Sequence, residues 1–294
     1  MRNHRPRVSV VLPAFNEEGY IRRSVDSILS QTFPDFELIL LDDGSTDDTW
    51  KIMQSYQDSR IRMIQLGRVG FTKALNYGLR ISRGDYIARM DADDESLPKR
   101  LERQVEFLDS QPTVSIVGTT YYRHDGLRNE RYVRCFPQHD QDIRRALGLY
   151  IPICHGSVMF RKVVIEKVGG YNESLSDLED LELWLRAAPH FRFANLGPPP
   201  LHVYWFDPKH SYFQSMHGSY RRVRQSIRLN GRAIRQLNLP KHYYALLGAK
   251  VLYYALLPNR LKRMARRLVA GATESPWPGT GLAAELPAHE NAHE

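Results

Sequence analysis

Four short apolar runs recur at near-regular spacing in the N-terminal third of the chain: Val8–Leu12, Phe36–Leu41, Ile61–Ile64 and Tyr86–Met90. Each is too short for a helix and is bounded by polar or turn-forming residues, which predicts buried strands. The segments between them carry helical stripes. Ile21, Val25, Ile28 and Leu29 form one, Trp50, Met53 and Tyr56 a second, and Phe71, Leu75 and Leu79 a third. Strand and helix alternating with a period of about 25 residues predicts βαβ units and a doubly wound α/β domain with a mostly parallel sheet. Start signals agree: Asn16 reads as an N-cap ahead of Glu17 and Glu18, and Ser45 with Asp48 reads as a capping box.

Past Asp94 the alternation loosens. A helix is expected around Leu101, Val105 and Leu108, strands at Val114–Thr119 and Val158–Phe160, and a helix over Asp177–Ala188 with Leu181, Trp184 and Leu185 facing inward. On that helix Trp184 and Arg186 read as packing and bracing residues. The α/β domain is expected to span residues 1–207, followed by a basic, partly amphipathic helical extension at 208–273 and a disordered tail at 274–294.

Composition changes the picture in one respect. The 294 residues include 42% hydrophobic ones, enough for a sizeable core, and the net charge is +8. That charge is segregated. Residues 208–273 carry 14 Lys and Arg and no acid, 274–294 carry four Glu and no base, and 1–207 balance to −2. The bulk of the fold is therefore no polycation, and no nucleic-acid partner is expected. Cys135 and Cys154 form no CxxC motif and read as buried thiols in a reducing compartment, which excludes a disulfide scaffold or structural zinc. The apolar run at Val8–Leu12 is too short for a signal sequence, so a cytoplasmic protein is expected.

Candidate chemistry gathers after the strands. In an open parallel sheet, ligands bind outside the carboxyl ends of the strands. Those positions hold Pro13-Ala14-Phe15-Asn16-Glu17-Glu18, Asp42-Asp43-Gly44-Ser45 and Asp91-Ala92-Asp93-Asp94. Three acidic turns on one edge repel one another unless a cation or a donor-rich ligand joins them. Alternate carboxylates at Asp91 and Asp93, on one side of a strand end, suit a hard divalent cation, Mn2+ or Mg2+, which commonly shares itself with substrate phosphates. No GxxxxGK[ST] or GxGxxG follows any strand, so the metal would have to carry phosphate recognition.

The strings VSVVLPAFNEE, SILSQTFPDFELILLDDGSTDDT, Asp91-Ala92-Asp93, HGSVMFRK and LEDLELWLR closely resemble the inverting family 2 glycosyltransferases of the GT-A fold, over roughly residues 7–207. The resemblance implies a nucleotide-diphospho-sugar donor, most simply UDP-linked, held by a half at about 7–100, and a saccharide or lipid-linked saccharide acceptor met by 101–207. It places Pro13, Ala14 and Glu17 near the nucleoside, Asp43 on the base, Asp91 with Ala92 at the ribose or metal, and Asp93 on the metal. It makes Asp180 the catalytic base, with Glu179 in reserve and His155 near the phosphates or acceptor. Inverting transfer needs two such acidic centres, one for the acceptor proton and one for the leaving diphosphate. Arg68 and Lys73 could meet the diphosphate but read as surface cations. Where many relatives end with Tyr-Arg-x-His, this chain has Tyr204-Trp205-Phe206-Asp207 and then His210, so either Asp207 or His210 substitutes or the C-terminal lid binds differently.

The segment YYALLGAKVLYYALL, 243–257, is apolar apart from Lys250 and precedes a basic run at 260–267. It is too short to span a bilayer and fits either an interfacial helix on anionic lipid or a core-packing helix. Envelope polysaccharide assembly would give a membrane contact its purpose. Two other classes share some of these features. A sugar-phosphate nucleotidyltransferase would need a Gly-rich loop where PAFNEE stands, and a non-catalytic sugar-nucleotide-binding scaffold would not need the complete acidic set.

Overall fold

A computed structural model describes residues 5–125, 130–175, 177–206 and 220–256. The expected alternation is present: β1 (Val8–Ala14), α1 (Ile21–Leu29), β2 (Phe36–Asp42), α2 (Thr49–Gln54), β3 (Ile61–Gln65), α3 (Phe71–Ile81) and β4 (Tyr86–Arg89). There follow β5 (Glu95–Ser96), α4 (Arg100–Ser110), β6 (Val114–Thr119), β7 (Tyr121–Asp125), β8 (Glu130–Arg134), α5 (Asp140–Leu147) and β9 (Met159–Arg161). The last described elements are α6 (Lys162–Val168), α7 (Glu179–Ala187), β10 (Arg192–Leu196), β11 (His202–Phe206), α8 (Tyr220–Gln236) and α9 (His242–Leu256).

Seven strands form the main sheet in the order β10-β6-β9-β4-β1-β2-β3. All pairings are parallel except those of β9, which runs against β4 and β6. Helices cover both faces, which explains why β1 and β2 are buried at every position and read as unbroken apolar runs. Successive residues face opposite layers: Val10 and Leu12 pack with Ile21, Val25 and Leu101, while Val11 packs with Leu75, Phe160 and Trp184. Helix α3 lies so close to the sheet that a Cβ on Gly78 would meet Val11 Cγ1 at 2.5 Å and Leu41 Cδ1 at 2.9 Å. Its expected stripe is inward at Leu75 and Leu79, but Phe71 is 43% exposed because it opens the helix at the sheet edge. Cys154 is buried as expected, and Cys135 is half-buried.

A second sheet, β5-β11-β7-β8, packs beside the carboxyl edge of the first. Beyond it, α8 and α9 confirm a helical extension. Lys250, alone in its apolar run, turns inward and donates to Leu149 O (2.7 Å), Asn230 Oδ1 (3.0 Å) and Ser226 Oγ (3.1 Å), and burial lowers its pKa to about 8. It docks α9 onto α8 and the domain. Tyr244, Leu246 and Leu252 on α9 remain exposed. Among the described residues no helix is long and apolar enough to cross a membrane. Asp207, His210, the basic run at 260–267 and the tail at 274–294 lie outside the described residues.

Candidate active site

The loops after β1 and β2 cap one another. Each carries backbone N–H groups that no strand or helix satisfies, and the neighbouring loop supplies the acceptors. Asn16 N donates to Ser45 Oγ (3.0 Å) and Thr46 N to Asn16 Oδ1 (2.8 Å). Glu18 N donates to Asp47 Oδ2 (3.1 Å) and Asp48 N to Glu18 Oε2 (3.0 Å). This corrects the two expected caps. Helix α1 starts at Ile21 without a side-chain cap, and α2 starts at Thr49 behind Asp48 without one. Asn16, at φ 55°, and Ser45 are spent on the partner loop instead. The result is a rigid platform under Pro13, Ala14 and Glu17.

Asp43, 3% exposed, accepts from Val69 N at 2.6 Å and Gly70 N at 3.0 Å, fixing the loop that leads into α3. Arg68, 3.5 Å from Asp43 and stacked on Phe15, closes this corner. The Arg68 side chain nevertheless stays 57% exposed, and Lys73 is exposed too, so both keep the surface character expected of them.

The carboxylates after β4 converge by a turn and not by strand alternation. The strand ends at Arg89, Met90 N makes a bond to Val11 O (3.1 Å), and Asp91 to Asp94 bend away. Ser24 Oγ lies 2.6 Å from the carbonyl oxygens of both Ala92 and Asp94, and the Arg23 guanidinium donates to Asp93 O. These side chains hold the turn from outside. Burial and the charges of Asp94 and Asp91 push the Asp93 carboxyl well above its ordinary range, and burial with Asp93 and Asp91 lifts Glu17 to about 8. Asp94, fully buried, faces His202 Nε2 at 2.8 Å and accepts from Trp205 N at 3.1 Å. Burial raises Asp94 and lowers His202 to about 3, so both move toward their neutral forms. This pair ties the acidic turn to β11.

Arg89 is buried in the middle of the site at 3% exposure, ion-paired to Asp91 and beside the Phe71 ring. Its Nε has no hydrogen-bond partner among the described residues. It lies close enough to Tyr171 and Asp94 for their charges to bear on its own protonation.

The second acidic centre opens α7. Glu179 and Asp180 stand in its first turn, and Asp180 Oδ1 accepts from Leu181 N at 2.7 Å. A helix N-terminus favours ionised acids, but burial wins here. It lifts Glu179 to about 7, aided by Asp180, and Asp180 to about 6. Trp184 is fully buried, and Arg186 braces the helix to Glu182 Oε2 (2.8 Å) and Gly170 O (2.6 Å), as expected of both.

One short turn joins the two centres. His155, in the 3-10 turn His155–Ser157, bonds Tyr171 OH at 2.8 Å and sits 3.9 Å from Glu179. Burial and the Arg89 charge hold it neutral. The next residue, Gly156, backs onto the acidic turn: a Cβ there would meet Asp91 Oδ2 at 2.6 Å, Asp94 Oδ2 at 2.9 Å and His202 Nε2 at 3.2 Å. The structure thus brings together Asp91, Asp93, His155, Glu179 and Asp180. The sequence placed Asp94 in the acidic turn without a role of its own and gave no role to Arg89, Tyr171 or His202. Arg89 had a visible signal, a charge inside the apolar run Tyr86–Met90.

Among the described residues no three His, Cys, Asp or Glu side chains are grouped as a metal cage. The donor set nevertheless fits a hard cation completed by substrate oxygens. Asp91 and Asp93 offer only oxygen ligands, and the raised carboxyls mark a local excess of negative charge.

The sequence profile described as "Glycosyl transferase family 2" matches residues 9–169. The chain is 38% identical over 192 residues to the putative glycosyltransferase EpsE of Bacillus subtilis, covering 63% of this chain and 67% of the relative. It is 34% identical over 206 residues to the O-antigen biosynthesis glycosyltransferase WbnJ of Escherichia coli, covering 65% and 76%. In structure it is similar to S. aureus TarS 1–349 in complex with UDP-GlcNAc, with a TM-score of 0.64 at 18% identity over 87% of this chain and 77% of that one. It is also similar to the mannosyltransferase PcManGT of Pyrobaculum calidifontis in complex with GDP-Man and Mn2+, with a TM-score of 0.59 at 25% identity over 94% and 78%. The fold is GT-A, and a profile match over more than half of the residues places this chain in glycosyl transferase family 2.

Proposed function

We propose that this glycosyltransferase is a metal-assisted, inverting enzyme that moves a hexosyl group from a nucleotide-diphospho-sugar, most simply a UDP-sugar, to a saccharide or lipid-linked saccharide of a cell-envelope polysaccharide. The observation that carries the reading is the turn His155-Gly156, which packs against Glu179 on one side and Asp91 and Asp94 on the other. That turn touches both acidic centres, and in-line displacement at an anomeric carbon needs two such centres. Asp180 takes the acceptor proton, with Glu179 beside it in the first turn of α7. Asp91 and Asp93 would hold a divalent cation, whose charge would offset that of the leaving diphosphate. The buried Arg89, ion-paired to Asp91, adds positive charge behind the same anion, Pro13, Ala14 and Glu17 line the nucleoside platform, and Asp43 with Arg68 and Phe15 flanks the base.

The names of its relatives and neighbours support this reading. WbnJ is named for O-antigen biosynthesis, and the two solved neighbours carry UDP-GlcNAc, or GDP-Man with Mn2+. The chain works at a membrane surface through the exposed Tyr244, Leu246 and Leu252 of α9. Flotation with phosphatidylglycerol vesicles should be lost in Leu246→Glu/Leu252→Glu, and equal flotation would remove the membrane contact from the scheme.

The primary test is calorimetric titration of UDP with and without Mn2+, on the native chain and on Asp93→Ala. Binding that requires Mn2+ and weakens by about 10- to 100-fold in the variant is expected for loss of one charged ligand. Binding indifferent to both would overturn the metal role. A GDP and dTDP panel decides the nucleotide if UDP does not bind.

A further inference from the structure

We propose that the groove between α8 and the loop 171–175 binds phosphate groups of the acceptor, so that the acceptor is a phosphate-bearing saccharide. This rests on the glycosyltransferase reading above and names its acceptor class.

The groove has a volume of about 840 Å³, and one wall presents Arg221, Arg224, Arg228, Arg232 and Arg235, all from α8. Their spacing of three, four, four and three residues places them on one face of the helix. Arg232 is engaged, pairing with Glu182 at 3.2 Å, and Glu182 also holds Arg186 at 2.8 Å. Arg221, Arg224, Arg228 and Arg235 make no ion pair with any described residue, and 208–273 contains no acid that could neutralise them locally. Like charges at helical spacing destabilise a helix. Four of them along one groove are stabilised by an anion that they share. Guanidinium groups bind phosphate through paired N–H donors, which a row of arginines offers repeatedly.

The rest of the lining fits a sugar attached to that phosphate. Asn172, Ser174 and Gln225 supply neutral hydrogen-bonding groups, and Leu175, Ile227 and Leu229 supply apolar surface. The donor phosphates belong elsewhere. The loop 171–175 is tied to the donor side, with Asn76 Nδ2 donating to Tyr171 O at 2.9 Å and Tyr171 OH meeting His155, and the groove lies on its α8 side. Glu182, two residues beyond Asp180 on α7, lines the groove. Arg222 pairs with Asp177 at 3.3 Å and Gln225 donates to Asp177 O, which latches α8 three residues ahead of Asp180. A phosphate held on Arg224 and Arg228 therefore anchors an acceptor whose hydroxyl reaches the α7 carboxylates.

The test uses inorganic pyrophosphate on the full chain, freed of metal so that the acidic donor edge repels it. Titration at low salt should show binding that weakens about tenfold in Arg224→Gln and again in Arg228→Gln. Arg103→Gln on α4, exposed and outside the groove, should leave it unchanged. Mn2+-dependent UDP binding should be equal in all variants, so a failed donor reading shows as lost nucleotide binding and leaves the groove measurement intact. Flotation with phosphatidylglycerol vesicles then separates the sources. Flotation that pyrophosphate competes away, and that the arginine variants lose, assigns the groove to lipid-borne phosphate. Pyrophosphate binding without such flotation assigns it to a soluble phosphorylated saccharide. Absence of pyrophosphate binding, or equal binding in native chain and variants, overturns the proposal, whatever the vesicles do.

Discussion

The carboxyl edge of β1, β2 and β4 and the outer face of α8 handle charge in opposite ways. The strand edge crowds Glu17, Asp43, Asp91, Asp93 and Asp94 together, and burial with the neighbouring charges raises the carboxyls of Glu17, Asp93 and Asp94. The helix face spreads Arg221, Arg224, Arg228 and Arg235 along a groove open to solvent. An acidic edge can hold an anionic diphosphate only through a cation that arrives with it, so its affinity is conditional on metal. The arginine face carries its charge permanently, so its affinity depends on salt and not on metal. The contrast teaches that one class of ligand group can be held tightly and conditionally in one place and loosely and continuously in another. A transferase that must release its nucleotide each turnover while keeping a growing acceptor has use for both.

The largest effect should come from the α7 carboxylates that stand between these regions. Asp180→Asn should lower kcat by about 10²- to 10⁴-fold, the range for loss of a general base, with nucleotide affinity unchanged. Glu179→Gln should cost less. If the order is reversed, Glu179 is the base and Asp180 its modulator. The base must be ionised to accept a proton. With the pair raised to about 6 and about 7, kcat/KM of the native chain should fall as pH drops through that interval. A rate flat from pH 8 to 5 would exclude both as the titrating base.

A smaller effect should follow from forcing the two acidic centres apart. Gly156→Ala would place a Cβ 2.6 Å from Asp91 Oδ2 and 2.9 Å from Asp94 Oδ2, and the buried Asp94 has no room to retreat. Overpacking of this kind costs about 1–3 kcal/mol. Thermal melting should show the loss, and nucleotide affinity should fall with it because the Asp91 turn must shift. An unchanged Tm would mean that the turn is looser than its packing suggests.

How much of this was legible beforehand divides along the same two regions. The strands of the main sheet are unbroken apolar runs because helices cover both faces, so Val8–Leu12 and Phe36–Leu41 announce themselves. The acidic turns could be placed because each follows a strand directly. What those turns do locally could not be read. Asn16 and Ser45 have the chemistry of helix caps, and only the adjacency of β1 and β2 shows that each caps the other loop. Asp94 and His202 are 108 residues apart, and no local pattern joins them. The basic character of α8 was plain from composition. Its groove was not, because that depends on which face of the helix Asp177 and Glu182 fix against the domain.

The smallest predicted effect separates the conditional charge of the donor edge from the permanent charge of the groove without measuring activity. Glu17 holds its proton more tightly in the folded chain, with a pKa of about 8 against about 4.3 when unfolded. Its contribution to stability is therefore fully present below the unfolded value and is lost as pH rises through about 8. Asp93 and Asp94 are raised in the same sense. Without metal, the chain should melt a few degrees lower at pH 8.5 than at pH 6, and Glu17→Gln should flatten the difference. Mn2+ relieves the repulsion only where the carboxylates are ionised, so it should raise Tm more at pH 8.5 than at pH 6. Salt without divalent metal should not reproduce that gain at a buried site, where screening is weak. If Mn2+ shifts Tm equally at both pH values, the cation binds away from Asp91 and Asp93, and the acidic edge is a structural knot instead of a metal-dependent donor site.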